Sequence, residues 1–196
     1  MTSMCARGAY GDRLGRCFEL DSAPALVMRA TPHAPHAPCA PFAATRITCT
    51  QSQLGMKRAI PAEDAFVVTL HLAGVRHHEL WMRGRPRVVQ GYLPGAISIV
   101  DLRDEVANYL GSPFDALTFY VPRALIDTVA DAMGIGRVHA LSCVPGLVDP
   151  VIGHLGAVVL ALLERQHADR DARTFDHLAM AICAHLVHRF GGDALH

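Results

Sequence analysis

The sequence predicts an α+β chain with its two parts segregated: an antiparallel β sandwich or barrel first, and helices after it. Two observations carry this. Between about Thr45 and Tyr120, short β-branched or alternating runs are separated by Gly/Pro turn clusters every eight to twelve residues. Beyond Tyr120 the apolar spacing becomes helical, with Pro or Asp at helix starts and glycines at their ends. The length of 196 residues suits one domain or one and a half, and 51% hydrophobic residues supply ample material for a core.

Residues 1–43 differ from the rest. Prolines 32, 35, 38 and 41 fix φ and remove backbone donors, so a Pro/His-rich, poorly ordered tail or linker is expected there. His33, His36 and Cys39 share one edge of such an extended segment, a spacing that could hold a metal but also suits a solvated linker. The β part, 44–121, opens with the β-branched Thr45–Thr50. In Phe66–Leu72, residues 66, 68, 70 and 72 are apolar against a mixed 67, 69 and 71, the period of a strand. Glu79–Met82 runs into a turn at Arg83–Pro86, then Arg87–Val89; a second turn cluster, Gln90–Gly95, precedes Ala96–Val100. Ala116–Tyr120 is the last strand read from the pattern.

The helical part, 122–192, begins with Pro122, suited to the first turn of a helix that runs to about Met133 and stops at Gly134. Asp149 is a cap for a second helix with Pro150 at its first position and apolar residues 151, 152, 155, 158, 159, 162 and 163 at helical spacing. A third runs from about 172 to Phe190 and ends at Gly191-Gly192. It is apolar on two sides. Leu178, Ile182 and Leu186 form one stripe that predicts a two-fold dimer, with 150–163 beside it; the alternative is that 150–163 covers this second face within one subunit.

Eighteen Lys+Arg balance eighteen Asp+Glu, without the basic excess of a chain that grips nucleic acid through phosphates. The six cysteines are scattered without a CxxC pair and read as reduced thiols in a cytoplasmic protein. The most apolar stretch, 148–163, is interrupted by Asp149, Pro150, His154 and two glycines, so no membrane partner is expected. No Gly-x-Ser-x-Gly elbow occurs, and Gly134-Ile-Gly136 lacks the rest of a dinucleotide fingerprint. His177, His185 and His188 on the last helix read as polar positions of a partly exposed helix rather than as metal ligands.

Gly91-Tyr-Leu-Pro-Gly95 followed by Ile97-Ser-Ile99 resembles the hairpin of cupin-type jelly rolls. Metal-binding members of that group have HxH with a later Glu, and a His soon after Pro-x-Gly. Here His77 and His78 are adjacent, so only one faces a barrel interior, and no histidine follows Gly95 until His139. Neither a metal nor another cofactor is therefore expected. Three runs, Glu79–Gly84, Leu93–Leu102 and Pro113–Arg123, together with the closing Phe175–Leu186 and Arg189–Gly192, are similar to the N-terminal sensor half of AraC/XylS-family transcriptional regulators. The resemblance implies a jelly roll that binds a small organic effector and dimerises through its helices. In that family a helix-turn-helix half follows. Only Asp193–His196 follow here, so DNA is expected to be reached only through a C-terminal domain not present in this chain.

The reading is thus an effector-binding, dimerising regulator domain and not an enzyme; the alternatives are a cupin-like metal-dependent enzyme or a domain that docks a protein partner. The polar barrel candidates are Thr69, His71, Glu79, Ser98 and Thr118. Because the resemblance places the 79–82 strand in the effector barrel, Trp81 and Glu79 are assigned to the ligand site, with His71 and Phe66 as weaker candidates. Alternation puts Glu79 and Trp81 on one face and Leu80 and Met82 on the other, and either face could be inward.

Overall fold

A computed structural model describes residues 25–27, 41–52, 55–57, 59–164 and 168–192. The first strand, β1 (Ala25–Val27), is followed by eight strands of a barrel: β2 (Ala43–Cys49), β3 (Gly55–Met56), β4 (Ala65–His71), β5 (Val75–Met82), β6 (Arg85–Tyr92), β7 (Ala96–Asp101), β8 (Val106–Leu110) and β9 (Phe114–Pro122). Pairing is antiparallel and nested: β2 with β9, β3 with β8, β4 with β7, β5 with β6. That is one long hairpin, with its tip between β5 and β6, rolled so that β4 also meets β9 and β5 also meets β8. The tip, Arg83-Gly84, has positive φ at both residues (51° and 72°), the two-residue turn whose twist matches its strands.

The result is two facing sheets, ordered β1-β2-β9-β4-β7-β11 and β3-β8-β5-β6, where β11 is Leu147–Val148. Helices α1 (Arg123–Ala132), α2 (Pro150–Glu164) and α3 (Ala168–Phe190) follow, with β10 (Ala140–Leu141) pairing β12 (Gly191–Gly192) at the close. The fold is a cupin-like jelly roll followed by a helical segment, α+β with the parts segregated. Sequence periodicity anticipated six of the longer strands or strand cores and all three helices, but not β8 or the short β1, β3, β10, β11 and β12.

The largest core lies outside the barrel. Phe66, Val68 and Leu70 of β4, Leu117, Phe119 and Val121 of β9, and Ile97 of β7 pack against Ile126 and Val129 of α1, Ile152 and Val159 of α2, and Phe175, Ile182 and Leu186 of α3. Arg123 pins the start of α1: it is 4% exposed, donates to Asp64 (2.8 Å), Asp101 (2.7 Å) and the His139 carbonyl (3.0 Å), and lies 4.2 Å from the centre of the Phe66 ring. Asp149 caps α2 as its position predicts, accepting from the Ile152 N–H at 2.9 Å; its other oxygen accepts from His185 Nε2, also at 2.9 Å, which ties α2 to α3.

This packing corrects the dimer assignment. Ile182 and Leu186 are both 0% exposed within this single chain and Leu178 packs against the same core, because α3 touches both α1 and α2. The second apolar face of α3 is covered by its own subunit. The expected tail over 1–43 falls mostly outside the described residues, as does the His33, His36 and Cys39 spacing. Within it, Ala25–Val27 pair with β2 and Phe42 is 1% exposed in the main core. Among the described residues no helix is long and apolar enough to cross a membrane, and Cys49, Cys143 and Cys183 are free thiols.

Candidate functional site

Between the two sheets is a cavity of about 70 Å³, room for several waters or a small molecule. Its walls are set by strand parity. On β4, residues 66, 68 and 70 face the helices, so Val67, Thr69 and His71 face the cavity, beside Ala116 and Thr118 of β9 and Ser98 and Val100 of β7. In β4 every residue except Thr69 is buried. A half-buried side chain in a doubly covered, central strand is exposed only to the space inside the barrel.

The opposite wall comes from β5, β6 and β8. Two residues of β5, Arg76 and His77, separate Val75 from His78 where only Gly91 of β6 separates Tyr92 from Gln90, a bulge that lets both Val75 and His78 face inward, with Leu80 following. Val106, Asn108 and Leu110 of β8 alternate inward in the same way. Of the adjacent pair, His78 lines the cavity, and His77 is outside it.

His71, Tyr92, His78 and Asn108 make the polar end. The His71 ring stacks on Tyr92 with centroids 4.1 Å apart and planes 10° apart, and the His78 ring is 5.5 Å from the same tyrosine. His78 Nε2 donates to Asn108 Oδ1 at 3.0 Å. Among the described residues, neither ring nitrogen of His71, nor His78 Nδ1, has a hydrogen-bond partner, although His71 is only 6% exposed. Buried polar atoms without partners are uncommon and call for an explanation. Burial, and secondarily the neighbouring His78, lowers the His71 pKa to about 4; burial also lowers that of His78, against the Asn108 hydrogen bond. Both imidazoles are neutral near pH 7.

Of the residues assigned from the sequence, His71 lines the cavity, and Thr69, Ser98 and Thr118 do too. Phe66, Glu79 and Trp81 do not. Phe66 is five residues from His71 along one strand, hence on the opposite face, where it is 1% exposed in the helix-packed core. Glu79 and Trp81 have the parity of the outward His77. Glu79 accepts from His77 Nε2 at 3.0 Å and from Trp81 Nε1 at 2.8 Å, which holds its carboxyl below the usual carboxylate range. They form a network on the outer surface of the four-stranded sheet. The residues missed, His78, Tyr92 and Asn108, lie on strands whose inward face depends on the bulge or went unread. The alternation of Val106, Asn108 and Leu110 was the available signal for the last.

The donor set does not fit a cupin-type metal centre. The cavity offers two imidazoles, one committed to Asn108, with no carboxylate and no third histidine among its lining residues. Among the described residues no group of three or more His, Cys, Asp or Glu could hold a metal ion.

No family model matches the chain, and no curated protein sequence matches it. Among solved structures, the AraC-like transcriptional activator CuxR is similar at 16% identity, over 74% of this chain and 49% of that one, with a TM-score of 0.36. The cupin domain of an XRE-family transcriptional regulator from Enterobacter cloacae is similar at 14% identity, over 50% of this chain and 96% of that one, with a TM-score of 0.32. Ectoine synthase from P. lautus is similar at 10% identity, over 52% of this chain and 63% of that one, with a TM-score of 0.35. Cupin domains of regulators and cupin enzymes thus both stand among the similar structures. The sequence-based expectation that the chain is not an enzyme is corrected accordingly: its fold is shared with enzymes and gives no ground for excluding catalysis.

Proposed function

We propose that this chain is the effector-binding domain of a cytoplasmic transcriptional regulator of the AraC/XylS kind, with a small organic molecule bound in the barrel cavity. The observation that carries the reading is His71: a side chain buried against the cavity, with both ring nitrogens unpartnered among the described residues. A mostly apolar cavity with a few polar groups at one end is the usual form of a small-molecule site. The cavity also backs directly onto the helices, since β4 and β9 present one face to each. A ligand pressing on Thr69 or Thr118 is separated from α2 and α3 by a single backbone layer, which supports coupling between effector and helix packing. In this reading a homodimer reads the effector, and DNA is contacted through a C-terminal domain. With Ile182 and Leu186 inside the core, the exposed Val151 and Val158 of α2 are left to carry the dimer.

The test is thermal unfolding of the chain against a panel of small organic molecules. A ligand that binds only the folded state raises the melting temperature, by about 2.7 kcal/mol of added stability at a hundred times its Kd. The rise should vanish in Ala116→Leu, which fills the cavity. A hit whose effect survives that substitution places the ligand elsewhere and refutes the reading.

A further inference from the structure

We propose that the barrel cavity selects a small uncharged molecule with one hydrogen-bonding edge, an alcohol, phenol or amide on an apolar frame, and discriminates against carboxylates and phosphates. This rests on the cavity being the effector site and concerns the charge of what enters it. Three observations converge.

First, among the described residues that line the cavity, none is Asp, Glu, Lys or Arg. An anion entering this space would lose its hydration and meet no charged group among the described lining residues, a cost of several kcal/mol per ion in real proteins. The only titratable side chains with imidazole basicity are His71 and His78, and their burial keeps both neutral.

Second, the polar groups present both donate and accept, as a neutral partner requires. Ser98 of β7, Thr69 of β4 and Thr118 of β9 are directly opposite one another in register and point into the same space. Adjacent strands are about 4.8 Å apart, so the three hydroxyls form a row of nearly even spacing across the floor. Thr69 and Ser98 are half-buried and open to the cavity. Each hydroxyl is one donor and two acceptor sites, and His78 Nδ1, with Nε2 committed to Asn108, is an acceptor across from them. A ligand hydroxyl or amide satisfies such a set; a carboxylate, which only accepts, leaves the His78 lone pair unmatched.

Third, the rest of the wall is Ile47, Val67, Leu80, Val100, Val106 and Leu110 with their apolar neighbours. That surface stabilises a hydrocarbon frame at about 25 cal/mol per Å² covered. A fully polar solute gains little there.

The experiment is calorimetry on the whole chain at pH 7.5 with two near-isosteric pairs, isobutyramide against isobutyrate and benzamide against benzoate. The amide of at least one pair should bind tenfold or more tighter than its acid. That binding should weaken severalfold in Thr69→Val and be lost in Ala116→Leu, with Ser98→Leu as a second cavity-filling variant should the first not fold. Tighter binding of the carboxylate, lost in the same variants, would overturn the charge selection while leaving the cavity as the site. Absence of binding by all four probes to a chain shown folded by circular dichroism would overturn this proposal and the cavity reading together.

Discussion

The two faces of strand β4 differ in what they meet, though they alternate residue by residue along seven positions. Facing the helices, Phe66, Val68 and Leu70 are 1%, 0% and 3% exposed and pack in an apolar cluster, with the Arg123 guanidinium over Phe66. Facing the second sheet, Val67, Thr69 and His71 border a cavity and bring two polar groups into it. The helix side is a close-packed interior in which each methylene counts. The barrel side is left partly unfilled and carries a few polar groups in a mostly apolar wall. The contrast teaches that here the sheet is held by its outside, while its inside is left out of that close packing.

The largest effect expected from this contrast is at β9. Phe119→Ala, on the helix side beside Phe42, should cost about 3–5 kcal/mol of unfolding free energy. Thr118→Val, one residue away on the cavity side, should change it by about 1 kcal/mol or less. Urea melts of the two variants measure both, and equal losses would erase the distinction.

Next comes pH. His71 in the unfolded chain titrates near 6.5, and in the folded chain at about 4. Its contribution is therefore fully present above pH 6.5, declines as the unfolded state alone takes up a proton, and is lost by about pH 4. The span is bounded by roughly 3 kcal/mol, with His78 acting in the same direction. His71→Phe keeps the stack on Tyr92 and should flatten the melting temperature between pH 6.5 and 4.5. Superimposable profiles for parent and variant would remove His71 as the source.

A smaller effect is expected where α2 crosses the sheet. A Cβ at Gly156 would lie 2.5 Å from Leu70 Cδ2 and 3.5 Å from Leu117 Cδ2, both on the helix side. Gly156→Val should destabilise by about 1–3 kcal/mol through overpacking. Gly156→Ala should lose less, since alanine regains about 1 kcal/mol of helix propensity. A Gly156→Val chain as stable as the parent would mean that the packing on this face has slack.

The smallest effects belong to the outer surface of the other sheet. Trp81→Phe and Glu79→Gln should each shift stability by less than about 1 kcal/mol and leave cavity-ligand affinity unchanged. A tenfold loss of affinity in either would return these residues to the site.

Much of this architecture was legible in the residues. Pro122, Asp149 and Gly191-Gly192 mark helix ends because caps and stops are local chemistry, and the structure has α1, α2 and α3 beginning or ending beside them. The alternation in 66–72 separated an all-apolar set from a mixed one, which is the division the two faces of β4 display. The site was legible only in fragments. Thr69, His71, Ser98 and Thr118 are polar barrel residues in the sequence and line the cavity, whereas Glu79 and Trp81, placed in the barrel only by the family resemblance, do not. Phe66 was assigned against the parity of its own strand.

The sequence by itself determined what depends on neighbours along the chain: element type, the order of strands before helices, capping, and which residues share a face. Tertiary structure decided which face is which. A strand's two sides are equivalent until other elements cover one of them, and the bulge between Val75 and His78 resets parity in a way no period-2 reading contains. The same holds for α3, apolar on two sides. Only the placement of α1 and α2 made Ile182 and Leu186 core instead of interface. Periodicity records that a surface must be buried, and burial by one's own chain or by another lowers the free energy by the same physics.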